Sequence, residues 1–225
     1  MPLDRLPPPP PPVERVGELL ADVAAGTPPP FDLVTEVVPQ PPGPVAGVLA
    51  FAGHHVVAAD VDPAWVHDRL PEGDLSAPVG GHFVAALADH LGRRGDNIDA
   101  VFVGHGAEGA GPLELVAVDG PTDHPRVARA DRYRRDLRVY ETSDGAGLLL
   151  LGRGLAQRWE CAFEVEPGAR GRGLGRRLVA AARHLVPVGT PVWVQVAPGN
   201  VPSLRAVLGA GGFSPVGAEI LFPDP

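Results

Sequence analysis

The spacing of apolar positions changes period several times along this chain, and each change marks an element. Residues 159–165, W-E-C-A-F-E-V, set Cys161, Phe163 and Val165 against Glu160 and Glu164, the two-residue alternation of a strand. A glycine-rich turn follows. From there Leu174, Leu178, Ala181, Ala182 and Leu185 fall on one stripe of a helix that should face a sheet. Residues 191–196 alternate again, Val192, Val194 and Val196 against Trp193 and Gln195. After Ala197-Pro198-Gly199 the sequence predicts a helix to Ala210, with Asn200 as N-cap, Pro202 in the first turn and Gly211-Gly212 as the stop. Upstream, a short helix is expected over 126–133. Strands at 137–141, 148–152 and 159–165 then form an antiparallel meander turning first at Ser143-Asp144-Gly145. A last strand is expected at 218–222, closing the domain.

The first half also reads as alternating strands and helices. Strands over 48–51 and 56–61 should pair and turn near Gly53-His54. Asp62 and Pro63 start a short helix through Leu70. Phe83, Leu87 and Leu91 recur at i, i+4 and i+8 and predict a helix over 82–94. Strands are expected at 98–103 and 113–118. Residues 1–45 are proline-rich. The run from Pro7 to Pro12 should adopt polyproline II as a tail or spacer, with a short helix over 14–25. The expected organisation is a leader (1–45), an N-terminal α/β part (46–125) that either completes the sheet or stands as a half-domain, and a C-terminal core (126–225).

Charge sharpens this division. Residues 1–125 hold 5 Arg against 18 Asp and Glu, a net of −13, whereas residues 126–225 hold 14 Arg against 9, a net of +5. The basic half suits an anionic ligand, and the acidic half argues against nucleic acid. One cysteine, Cys161, excludes an internal disulfide and reads as a buried small apolar group. No apolar signal region and no membrane-length run is present, so the expected location is cytoplasmic. His54, His55, His67, His82 and His90 do not form a ligand cluster; His54 and His55 point to opposite faces of a strand, so no metal is expected. Arginine without lysine fits a GC-rich bacterial genome.

The chemistry lies in Val165-Glu166-Pro167-Gly168-Ala169-Arg170-Gly171-Arg172-Gly173-Leu174-Gly175, where the strand of 159–165 passes into the helix from Leu174. A helix start exposes backbone N–H groups at the positive end of its dipole, and glycines let a ligand approach them closely. Such a junction is a diphosphate cradle, and Arg170, Arg172, Arg176 and Arg177 add guanidinium groups. A Rossmann G-x-G-x-x-G would need glycine where Arg176 stands, and the absence of lysine excludes a P-loop. Val165, Pro167, Arg170, Gly173 and Gly175 satisfy V-x-P-x-x-[RQ]-x-x-G-x-[GA] at every fixed position.

With that pattern the chain resembles the GNAT superfamily of acyl-CoA-dependent N-acyltransferases over about 159–213, with the resemblance extending upstream to about 134. The resemblance implies an α/β (α+β) fold of GNAT type, a mixed, mostly antiparallel central sheet flanked by helices, here with an N-terminal α/β extension. It implies that Arg170, Gly171, Arg172, Gly173, Leu174, Gly175 and Arg176 hold the pyrophosphate of acetyl-CoA, the co-substrate. Phe163 and Val165 would receive the pantetheine arm on their backbone, one N–H polarising the thioester. Asn200 and Ser203 match a family contact, although Asn200 is equally explained as a cap. The family's thiolate-protonating Tyr falls at Val207, and the stretch from Asn200 to Phe213 is one residue longer than usual. Catalytic candidates are therefore Glu160 and Glu164 as bases, with Glu141 behind them, and Tyr140 as a substitute acid. The expected activity is direct transfer of an acyl group, acetyl first, to a small-molecule or peptide amine; the alternative is a catalytically silent acyl-CoA sensor or interaction module.

Overall fold

The computed structural model describes residues 3–11, 14–120 and 123–225. Ten strands form one mixed, mostly antiparallel sheet: β1 (Val34–Val38), β2 (Val45–Phe51), β3 (His54–Ala58), β4 (Asp99–His105), β5 (Leu115–Val118), β6 (Arg135–Thr142), β7 (Gly147–Arg153), β8 (Trp159–Val165), β9 (Pro191–Val196) and β10 (Phe213–Pro223). Their spatial order is β1-β3-β2-β10-β4-β9-β8-β7-β6-β5. Only β1–β3 and β8–β9 pair in parallel. Helices α1 (Arg15–Ala24), α2 (Pro63–His67), α3 (Gly81–Leu91), α4 (Pro125–Asp131), α5 (Leu174–Ala182) and α6 (Val201–Ala210) cover its faces.

β10, the strand expected to close the domain, lies inside the sheet. It runs between β2 and β4 and pairs with both. The C-terminal strand thus stitches the N-terminal part into the sheet, and residues 46–125 complete it. β10 also starts five residues before the expected 218. Pro215 lacks a ladder donor and the register shifts between Pro215 and Gly217, a bulge that breaks the alternation. Strand β1 was hidden by the prolines around it. As an edge strand it tolerates Pro39 directly after its last residue.

The start of the leader is not a free tail. The Leu6 N–H donates to Leu185 O at 2.7 Å, and the indole of buried Trp159 donates to Pro7 O at 2.9 Å. Arg153 donates to Pro8 O at 2.9 Å, and its guanidinium stacks 4.1 Å over the Trp159 ring. Pro12, the end of the expected polyproline run, lies outside the described residues.

The two faces of the C-terminal half differ in kind. Under α5 and α6 the sheet is apolar: Leu149, Leu151, Cys161, Val192, Val194 and Phe102 pack with Leu178, Val179, Ala182 and Val207. Side chains opposite across a ladder share a face, which places Asp99 with Glu219 and Glu160 with Trp193 on the other side, the face that α1 and α4 cover. There the Arg158 guanidinium bridges Glu219 (2.6 Å) and Glu160 (2.8 Å), and Arg134 reaches Glu160 at 3.0 Å and donates to Gln195 at 3.1 Å. A buried, charge-balanced network of this kind tolerates loss of a single partner poorly, since about 3–5 kcal/mol follows when one charge is left alone.

Candidate functional site

β8 stays paired with β7 as far as Val165 opposite Gly147, but it pairs with β9 only from Trp159 to Cys161. Beyond Cys161 the two parallel neighbours separate and leave a gap in the sheet. The Glu166 N–H donates to Ala146 O at 2.9 Å, which turns the even-numbered amides of this strand toward β7. By alternation, the N–H and C=O groups of Phe163 and Val165 point into the gap. The Arg170 Nε takes the Val165 carbonyl at 3.0 Å and ties the following turn to the strand end. The side chains of Phe163 and Val165 pack on the apolar core.

The gap is the middle of a cleft of about 1260 Å³ that passes from the α5 side of the sheet to the α4 side. That exceeds the roughly 300–1,000 Å³ of a single small-ligand pocket and leaves room for two reactants. On the α5 side it is lined by Arg170 to Arg176, Asn200, Ser203 and Ala206. Gly171 and Gly173 hold positive φ values of 76° and 78°, so the chain here turns in a conformation that glycine takes without steric cost. The first helical bond at this end of α5 runs from Arg177 N to Gly173 O. Among the described residues, the N–H groups of Gly171, Arg172, Gly173, Leu174, Gly175 and Arg176 have no acceptor. These six consecutive amides belong to residues that line the cleft, with Arg172 and Arg176 on its wall.

Gly175 is needed for packing. A Cβ there would stand 3.3 Å from the Phe163 ring and 3.5 Å from Ala206 Cβ, so the glycine lets α5 close on β8 and α6. Asn200 accepts from the Ser203 N–H at 3.2 Å. It is a helix cap, and the Ser203 amide is already used; both residues nevertheless line the cleft.

Two catalytic candidates read from sequence do not reach the cleft. Glu160 is fully buried, held by Arg134 and Arg158, and accepts the Leu155 N–H at 3.2 Å. Its own loop wraps it so closely that a Cβ on Gly154 would collide with the carboxylate. It is a structural ion-pair partner. Tyr140 lies on β6, two strands from the gap, buried in the core under α5, where burial raises its phenol pKa. It is not positioned to supply a proton to a thiolate. Val207, at the family's Tyr position, is fully buried. Glu141 lines only a small side depression behind Glu164. Glu164 alone of the sequence-derived carboxylates faces the cleft. Burial pushes the Cys161 thiol up to about 12, so it is inert at neutral pH.

The α4 side of the cleft brings together residues that sequence reading passed over: Asp96, Asp99, Arg126, Arg129, Tyr133 and Arg134. Arg129 pairs with Asp96 at 2.6 Å, and the Tyr133 hydroxyl donates to the same carboxylate at 2.9 Å. Among the described residues Asp99 has no ion-pair partner within 4.0 Å, and its Oδ1 is buried without a hydrogen bond, although Arg129 and the Asn97 side chain act on the carboxyl. Burial, then the charges of Asp96 and Glu219, push it up to about 6. Arg126, Arg129 and Tyr133 stand at i, i+3 and i+7 of α4 and the turn after it, a polar stripe on the inward face of a helix, and that stripe was the available signal. Among the described residues no group of three or more His, Cys, Asp or Glu side chains is placed to hold a metal, and no helix is long and apolar enough to cross a membrane.

A strand that passes through a glycine-rich turn into a helix, with the backbone of Phe163 and Val165 open beside it, is the arrangement that the sequence resemblance to the GNAT superfamily implies. No protein-family model matches the chain, and no match is found among curated proteins. Solved structures similar to it are a GNAT-family acetyltransferase from Colwellia psychrerythraea (11% identity, 64% of this chain and 63% of that one, TM-score 0.40), a candidate acetyltransferase of the GNAT family from Novosphingobium aromaticivorans (19% identity, 58% and 66%, TM-score 0.39) and a functionally unknown conserved protein from Staphylococcus epidermidis (11% identity, 64% and 67%, TM-score 0.35). The chain therefore spans less than two thirds of the first two.

Proposed function

We propose that this protein is an acyl-CoA-dependent N-acyltransferase that moves an acyl group, acetyl first among candidates, to a primary amine within a ternary complex. The observation that carries the reading is the run of six unfilled amides from Gly171 to Arg176 at one end of a cleft whose middle exposes the Phe163 N–H. The run suits a diphosphate, and the strand edge suits an extended amide-containing arm.

Acyl-CoA supplies the thioester: the amine nitrogen bonds to its acyl carbon, the C–S bond breaks, and the sulfur leaves as a thiol. The cradle fixes one end of that substrate, and the backbone of Phe163 and Val165 aligns the rest. The Phe163 N–H donates to the carbonyl oxygen as charge builds there. Asp99 accepts the proton that an ammonium must lose before its lone pair can attack; a carboxyl pushed up to about 6 is matched to that task near neutral pH. The nitrogen sheds its second proton to the departing sulfur, so a phenol at position 207 is not required.

Buried Val207 favours a second reading, an acyl-CoA sensor without turnover. Thiol release from acetyl-CoA across a panel of primary amines separates the two. The transferase reading expects release with at least one amine at a rate at least a hundredfold above hydrolysis. Calorimetric CoA binding with no release anywhere on the panel would establish the sensor instead.

A further inference from the structure

We propose that the amine acceptor carries a carboxylate, as a free amino acid does, and that the guanidinium of Arg126 receives it. This rests on the transferase reading above. Three arginines line the α4 end of the cleft, and two are already neutralised: Arg129 by Asp96 at 2.6 Å and Arg134 by Glu160 at 3.0 Å. Arg126 is not. Among the described residues no carboxylate lies within 4.0 Å of it, and its Nε is buried without a hydrogen-bond partner. Glu164, also on the cleft wall, is near enough to act on it only as a distant charge.

The energetics of that position are those of an incomplete site. Burial, followed by repulsion from Arg134 and Arg129, lowers the Arg126 pKa. A guanidinium half withdrawn from water without a carboxylate in direct contact is costly, and an anion arriving through the cleft lowers the cost. Its planar fork matches a carboxylate with two parallel hydrogen bonds. The diphosphate of the transferase reading is assigned the amides on the opposite side of the sheet, at the start of α5. An acceptor lying between Arg126 and Asp99 would present a carboxylate to the first and an ammonium to the second. Arg126 and Asp99 line one cleft, and the two opposite charges of a zwitterion are assigned to them under this proposal.

The test is calorimetric titration of the full chain, with and without saturating CoA, using the proteinogenic amino acids and their α-carboxamides. At least one amino acid should bind about tenfold or more tightly than its carboxamide, the margin expected of a charge-assisted pair. Arg126→Gln should abolish that margin, Arg126→Lys should restore part of it, and both should leave CoA affinity within about twofold. Equal binding of acids and carboxamides, binding of none of them, or a margin that survives in Arg126→Gln would overturn the proposal. So would a tenfold loss of CoA affinity in Arg126→Gln, which would assign this arginine to the cofactor side. Failure of the transferase reading has a different signature: the amino-acid margin persists in protein that does not bind CoA. Arg126→Lys keeps the charge and most of the length of the side chain, so it reports even where the Gln variant does not fold.

Discussion

Gly173→Asp is expected to weaken CoA binding by a hundredfold or more while the protein stays folded. Gly173 sits at φ 78° in the centre of the unfilled amides, on an exposed turn where a Cβ would have only Arg176 Nη2, at 3.8 Å, for company. Asp is among the residues that tolerate this left-handed region, so the backbone cost is about 1 kcal/mol and falls on the turn rather than the core. The carboxylate, however, would lie where the diphosphate must lie. Two like charges about 4 Å apart in a half-solvated cleft repel by about 3 kcal/mol, which is more than a hundredfold in Kd. Gly168→Asp is the control: it adds the same charge on the same exposed turn but outside the run of free amides, and its CoA affinity should change no more than a few-fold. Equal losses in the two variants would reduce the cradle to a general electrostatic effect. Unchanged affinity in a folded Gly173→Asp protein would remove it.

Asp99→Asn should lower kcat/KM by about two to four orders of magnitude, the usual contribution of a positioned base. The sign with pH follows from the direction of the shift. Asp99 must be ionised to accept a proton, and it is held up to about 6, so wild-type kcat/KM should fall as pH drops through about 6 and level off above it. That limb should vanish in Asp99→Asn. Stability should move the other way. A carboxyl whose folded-state pKa lies above its ordinary 3.8 contributes stability that is full below that value and lost as pH rises through about 6. The Asn variant should therefore melt no lower than wild type at neutral pH, which separates lost chemistry from lost folding. A pH limb near 6 that persists in Asp99→Asn would assign the base elsewhere, with Glu164 next in line on the cleft wall.

The parts of the molecule legible in the sequence are those in which one face decides each residue. β8 and β9 alternate cleanly because one face packs under α5, and their observed limits, Trp159–Val165 and Pro191–Val196, are the expected ones. Asn200 and Asp62 cap their helices as local chemistry predicts. β1 and the bulged start of β10 were concealed by prolines, which an edge strand and a bulge accommodate. The turn proposed as the cradle was legible as a glycine-rich strand-to-helix junction, because backbone conformation of that kind is specified by glycines over a few consecutive positions. The α4 side of the cleft, proposed for the acceptor, was not, because it is assembled from a strand start, a helix face and a central strand far apart in sequence. Glu160 and Glu164 illustrate the limit. They lie on one face of one strand, yet Glu160 is sealed by Arg134, Arg158 and the 154–158 loop, whereas Glu164 faces the cleft. Only the partners supplied by other elements distinguish them.

The central claim, that the amides opening α5 bind a diphosphate, is tested most directly by comparing CoA with pantetheine, which has the same arm and no diphosphate, in calorimetric titrations of the same protein. CoA should bind at least a hundredfold more tightly than pantetheine, and that advantage should shrink to within a few-fold in Gly173→Asp. Equal affinities of the wild-type protein for CoA and pantetheine would contradict the account.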